Sequence, residues 1–339
     1  MPIIKNCFDS HAWATADNNN TRRLKLKQNF PIRGIGMHLD FTISAASALA
    51  FAQCAPESIL KRLSFDWNGI TVMNLSGPEA WLKALVMHGM MPYKRVDGES
   101  ATAATPNCGF FIDFGQELAL PVSPSDAWLS MELGDVNSLC GAGATLAITA
   151  GGAVAAATPR TGSWIDTTLL QQTEPNSSGM MRKIISKVVP LGQVGDMEIE
   201  LSTSEALNDL LLIAWDANTG STFTKDATDQ NIHWVNVKFE LKDQNDLILV
   251  HSPWKSLHRL GMVPAGIGQM RGANGGTVAS MLQDDWDMQT RGIAYWDFTP
   301  GLSGAVDPKQ IKRAVITVTN CLNTGLLSVI QDTIVPLPK

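Results

Sequence analysis

At 339 residues, 45% of them hydrophobic, the chain is long enough for two domains that each bury a core without disulfides or metals. Charged residues make up 17% against a globular norm of about 25%, and the net charge is −6, which suits a surface covered by neighbours and excludes a chain that grips nucleic acid over its whole surface. Five widely spaced cysteines with no CxxC pair exclude a disulfide framework and a thiolate zinc site, so free, mostly buried thiols made in a reducing cytoplasm are expected.

Residues 1–30 are polar, carry the tract Asp17-Asn18-Asn19-Asn20 and show no hydrophobic period, which predicts an extended N-terminal arm. From Gly34 the apolar residues Ile35, Met37, Leu39, Phe41 and Ile43 fall at every second position, on one face of a half-buried strand. Between Ile59 and Leu75, Trp67-Asn68-Gly69 interrupts two apolar runs, and Asn-Gly supplies the positive backbone angles of a tight hairpin. A short helix of about three turns follows, with Ser76 as cap, Pro78 in the first turn, Glu79 completing a capping box and Gly89 as stop. Strands are then predicted over Phe110 to Phe114, Ala127 to Leu133 and Ala144 to Ala150, separated by Gly, Pro, Asn and Ser. No charged-then-apolar leader opens the chain. Its most apolar stretch, Ala142 to Ala157, is broken by Gly151 and Gly152 and reads as a buried strand pair rather than a membrane span.

The second half repeats this order. Met197, Ile199 and Leu201 resume the opening alternation, Leu210 to Trp215 and Ile232 to Leu241 read as strands, and Asp243 to Asp246 is a polar turn before Leu247 to Val250. A second helix is expected with Ser252 as cap, Pro253 at its first position and Gly261 as stop. At an offset of about 172, Lys83, Leu85, Gly89 and Met90 match Lys255, Leu257, Gly261 and Met262. At an offset of about 184, Asp113, Phe114, Leu118, Val122 and Pro124 match Asp297, Phe298, Leu302, Val306 and Pro308. The change of offset implies about twelve extra residues in the second half, within Val263 to Thr290. Pro159 to Ser178 has the composition of a connection.

Candidate chemistry is sparse. Asp113 and Asp297 are carboxylates at equivalent positions of two domains, whereas a glycoside-cleaving pair must stand within about 10 Å, so both read as strand-end residues. The six histidines form no HxH, HExxH or His-x3-His pattern, no Gly-x-Ser-x-Gly elbow occurs, and Gly272 to Gly276 lacks the Lys that ends a phosphate loop. No catalytic residue, cofactor or metal is expected. Of ten tryptophans, Trp67, Trp81, Trp128, Trp254 and Trp296 fall in the expected sandwiches as core or interface anchors. Exposed together, they would instead form a sugar platform.

Two successive sandwiches, each with a short capped helix, resemble the double jelly-roll major capsid proteins of tailless icosahedral viruses, those of membrane-containing bacteriophages and the adenovirus-hexon-like lineage. The residues carrying the resemblance are Phe30-Pro31-Ile32-Arg33-Gly34 with its alternating strand, Trp67-Asn68-Gly69, the two Ser-Pro-capped helices, and the two Asp-Phe strands with Pro124 and Pro308. What it implies is an all-β chain of two tandem eight-stranded jelly-roll β-sandwiches: an arm over 1–30, jelly roll 1 over 31–160, a linker over 161–178, and jelly roll 2 with a C-terminal tail over 179–339. It also implies a non-enzymatic subunit, made in the host cytoplasm and resident in the virion, that forms pseudo-hexameric homotrimers and contacts penton or spike proteins. The long loop within Val263 to Thr290 would then be an outer tower or an intersubunit contact. The cations Arg22, Arg23, Lys25 and Lys27 have two readings: inner-face contacts to membrane lipids or genome, or a solvated or strand-like arm that simply pairs with a neighbouring subunit. A carbohydrate-binding sandwich, virion-attached or secreted, is the alternative function.

Overall fold

Strands dominate, as the alternating pattern requires, in the computed structural model, which describes residues 3–45, 56–88, 94–100, 103–122, 127–140, 146–152, 160–191, 196–216, 237–243, 248–253, 293–298, 311–319 and 325–338. Two units separate along the chain: Met1–Met87, Met91–Arg182 and Pro336–Lys339 form the first, and His88–Met90 with Lys183–Val335 the second.

In the first unit β1 (Ile3–Ala12), β2 (Thr21–Leu26), β3 (Ile32–Asp40), β4 (Ile43–Ala45), β5 (Leu60–Trp67) and β6 (Ile70–Leu75) precede helix α1 (Gly77–His88). After it come β7 (Lys94–Ser100), β8 (Ala103–Asp113), β9 (Ala127–Leu133), helix α2 (Val136–Cys140), β10 (Leu146–Ile148) and β11 (Trp164–Gln172). One sheet runs β1-β11-β3-β8-β4-β10 with β7 beside β8, and the other runs β6-β5-β9-β2. The alternation from Ile35 to Ile43 buries all five apolar residues between these sheets. Phe65 of β5 stacks on Phe114, just beyond β8, at 5.9 Å, joining the two layers. Each such side chain contributes about 1.5–3 kcal/mol by leaving water.

The second unit holds β12 (Met180–Leu191), β13 (Asp196–Glu200), β14 (Ala206–Asp216), β15 (Val237–Asp243), β16 (Ile248–Pro253), β17 (Ile293–Asp297), β18 (Ile311–Thr319) and β19 (Gly325–Pro336). Its sheets run β17-β14-β19-β12 and β13-β18-β15-β16. Leu210, Leu212, Ala294, Leu327 and Val329 from the first sheet pack with Ile199, Ala314, Ile316 and Val318 from the second, closed by Phe298.

Laid side by side, the units have one plan. The strand order β1-β11-β3-β8 becomes β12-β19-β14-β17, and β6-β5-β9-β2 becomes β16-β15-β18-β13, each element in the same sequence order. These are two eight-stranded jelly rolls, the first with β4, β7 and β10 added. The likeness reaches single residues. Asp113 faces Gly34 and Asp297 faces Asp209. In each unit the next strand skips one residue there: Leu170 faces Gly34 and Gln171 faces Ile32, while Asp332 faces Asp209 and Thr333 faces Leu207. The bulged residues Arg33 and Asn208 turn their carbonyls to the amide N–H of Phe114 at 2.7 Å and of Phe298 at 3.1 Å. The repeated Asp-Phe pair is therefore the imprint of a β-bulge.

Several expectations are met locally. Asn68 and Gly69 take φ of 51° and 77° between β5 and β6. At α1 the Ser76 N–H donates to Glu79 Oε2 at 2.7 Å and the Glu79 N–H to Ser76 Oγ at 3.4 Å, a capping box. A Cβ on Gly77 would lie 1.9 Å from the Glu57 carbonyl oxygen, so only glycine lets α1 start against that turn. Cys108 is a buried free thiol.

Others are corrected. Residues 1–30 are not an extended arm: β1 pairs along its length with β11, and β2 pairs with β9 from Thr21 to Leu26. Nor is 161–178 a linker, since Trp164–Gln172 is the strand between β1 and β3. The connection shrinks to residues 173–179, where the Asn176 side chain accepts from the N–H groups of Ser178 and Gly179 and donates to the carbonyl oxygens of Ala119 and Met180. Met197–Leu201 repeats not the strand at Ile35 but the segment read as an arm, because β13 corresponds to β2. Ser252 and Pro253 do not open a helix; they close β16 opposite Phe239 and Lys238, and the rest of the expected second helix lies outside the described residues. The same holds for the loop within Val263 to Thr290. In Ala142 to Ala157, β10 pairs with β4, and Ala147, Thr149 and Ala150 are exposed rather than buried. The short helix α2, capped by Asp135 through the N–H groups of Asn137 and Ser138, was not expected.

Candidate functional site

The four cations singled out in the sequence lie on or just past β2, whose only sheet neighbour among the described strands is β9. Period-two geometry divides them. Arg22 turns toward β1, its Nη2 at 3.0 and 3.2 Å from the two oxygens of Asp9. Arg23 and Lys25 point the other way over the ring of Trp128 on β9, with the guanidinium carbon 4.3 Å and the ammonium 5.7 Å from its centroid. Such a cation–π contact contributes about 0.5–1 kcal/mol at an exposed site. Thr21, Arg23, Lys25 and Lys27 are exposed, while Leu24 and Leu26 turn toward the core. Alternating Leu and cation thus makes an amphipathic edge strand, and its charges guard an edge that would otherwise recruit any passing strand.

The corresponding edge of the second unit carries the opposite sign. Gly34 corresponds to Asp209 at the bulge, and the same offset of 175 (209 − 34) takes Thr21, Arg23, Lys25 and Leu26 to Asp196, Glu198, Glu200 and Leu201. Exposure agrees: Asp196, Glu198 and Glu200 are exposed, and Ile199 and Leu201 are buried. Arg313 of β18 lies between the two glutamates, 2.5 Å from Glu198 and 3.3 Å from Glu200. The hydrogen bond that Arg313 donates to Glu198 raises the Arg313 pKa above its ordinary value. Reading the sequence for positive charge alone missed this edge; the alternation Asp196-x-Glu198-x-Glu200 was its signal.

A second polar cluster crosses the other sheet of the first unit. Ser10, Asp166 and His38 stand in one register row on β1, β11 and β3. Arg160 grips Asp166 through two nitrogens at 2.6 and 2.8 Å, Ser10 donates to it at 2.6 Å, and Arg160 also lies against Ser10 and over Trp164 at 4.5 Å. Burial works to raise the Asp166 pKa, but the hydrogen bonds from Arg160 and Ser10 outweigh it and hold the carboxyl below its ordinary value. The serine bonds the carboxylate rather than the imidazole, which stands 3.8 Å from Asp166, so the trio lacks the serine–histidine contact that nucleophilic catalysis needs.

Asp113 is likewise structural. Its oxygens accept from Arg33 at 2.8 to 3.2 Å and from the Gly115 N–H at 2.8 Å. The tryptophans form no platform among the described residues: Trp67 and Trp81 are buried, Trp296 leans on the core of the second unit, and Trp128 is covered by Arg23 and Lys25. Trp254 lies outside the described residues.

No family model and no curated protein sequence matches this chain. Solved structures do. A crystal structure of the major capsid protein of Sulfolobus turreted icosahedral virus superposes with a TM-score of 0.65 at 11% identity, covering 99% of this chain and 97% of that one. A second structure from the same virus gives 0.67 at 12% identity over 98% and 91%. The major capsid protein P2 of bacteriophage PM2 gives 0.55 at 9% identity over 100% and 99%. With the strand order and the bulge repeated in each unit, the fold of this chain is the double jelly roll of viral major capsid proteins.

Proposed function

We propose that this chain is the major capsid protein of an icosahedral virus, a non-enzymatic block that assembles as a pseudo-hexameric homotrimer and tiles the shell of the virion. The observation that carries the reading is the doubled eight-strand plan, repeated down to one β-bulge, in a chain that superposes nearly end to end on capsid proteins. Three copies bearing two like domains each present six like blocks around one axis, and rotational closure leaves equivalent surfaces for neighbouring capsomers. Penton or spike proteins are the further partners. Of the two readings of the basic segment, pairing with a neighbouring subunit is favoured over contact with lipid or genome. Arg22 is engaged by Asp9, and the strand is built into a sheet instead of reaching away from it.

Light scattering on the purified protein, coupled to size-exclusion chromatography, tests this. A mass near three times the 36.6 kDa of the chain, with six-sided particles in negative stain, is the expected result. A monomer at every concentration sinks it.

A further inference from the structure

The two edge strands that correspond between the units, β2 and β13, differ in what they show to solvent. One presents Arg23, Lys25 and Lys27; the other presents Asp196, Glu198 and Glu200, with Arg313 offsetting part of the charge. Thr21 faces Glu132 on the basic edge, so neither edge is of one sign throughout. Among the described strands each has a sheet neighbour on one side only, and the alternating charges are exposed in the single chain. Inverted charge at matched positions of the same scaffold makes the edges complementary in sign at the same two-residue spacing. A contact between like edges of two copies would set cation against cation or carboxylate against carboxylate.

We infer that the basic β2 edge of one copy docks on the acidic β13 edge of another, with Arg23 and Lys25 set against Glu198 and Glu200. This rests on the capsid reading and names a contact within the assembly. It is heterologous, one domain type against the other, so it lets a ring close and prevents the two jelly rolls from exchanging places. Charge at such a rim governs orientation and association rate more than depth of binding.

The test uses three variants of the full chain: R23E/K25E, E198K/E200K, and the four substitutions together, each checked by circular dichroism for an unchanged fold. Mass is followed against protein concentration by light scattering. Each two-site variant is expected to need about tenfold more protein than wild type for half-association. The four-site variant, in which the signs are exchanged, returns to the wild-type midpoint. Raising salt weakens wild type and strengthens the two-site variants, whose facing like charges it screens. Equal midpoints for all the proteins overturn the inference, as does a four-site variant that fails to recover. A wild-type chain that stays monomeric overturns the capsid reading itself, so the two failures are distinct.

Discussion

Single side chains in this protein act by holding strands in register. Arg33 and Asp113 lock the bulge that β3 makes opposite β11, and Gly34 beside them admits no larger residue: a Cβ there would lie 2.4 Å from the Ile112 carbonyl oxygen. Asp166 ties β1, β11 and β3 in one row. Its pKa is depressed in the fold, so its contribution to stability is complete above the ordinary value of 3.8 and is lost as pH falls through the lower folded value. Asp135, held by the Asn19 amide and by N–H groups of α2, shifts the same way. The urea midpoint of wild type is therefore expected to fall between about pH 5 and pH 2 more steeply than that of Asp166→Asn. Parallel pH profiles for the two proteins would remove Asp166 from this account.

Among elements, the β5–β6 hairpin is the one most completely legible in the sequence, because its conformation is a local matter. Asn68-Gly69 demands positive φ at both positions whatever surrounds it, and the structure has it. A Cβ at Gly69 would meet nothing within 4 Å, so Gly69→Ala has only a backbone cost, about 1–2 kcal/mol, read as a lowered denaturation midpoint. An unchanged midpoint would mean the turn relaxes freely. The capping box of α1 was legible for the same reason. β1 was not, because a register shift between Cys7 and Asp9 breaks the alternation of its side chains. β11 hid behind polar residues that it buries: Thr167, Gln171 and Gln172 are all within the fold. The side-chain NH2 groups of the two glutamines donate there to the carbonyl oxygens of Phe30, Gln116 and Glu174, partners distant in sequence or around a turn.

At the scale of the whole chain, the first strand is the test of the corrected plan. If residues 1–12 were a free arm, their removal would leave the fold intact. In the structure Ile3–Ala12 covers the edge of β11 and leads into Trp13, which is buried against Phe41. Deleting residues 1–12 is expected to abolish the near-ultraviolet dichroism of the first unit and to produce insoluble protein through the exposed strand edge. A soluble truncated chain with native dichroism would restore the arm.

By itself, the sequence determined that this is a two-domain β-protein, where its main hairpin and first helix lie, and that an Asp-Phe strand occurs twice, because turns, caps and alternation act within a few residues of one another. The tertiary structure alone decided that the first thirty residues supply two of the eight strands of the first unit, that the supposed linker is a central strand, and that the positions of Arg23 and Lys25 in the first unit are those of Glu198 and Glu200 in the second. Strand membership is settled by neighbours more than a hundred residues away, as when β1 meets β11, and a single bulge erases the local period that would otherwise have revealed it.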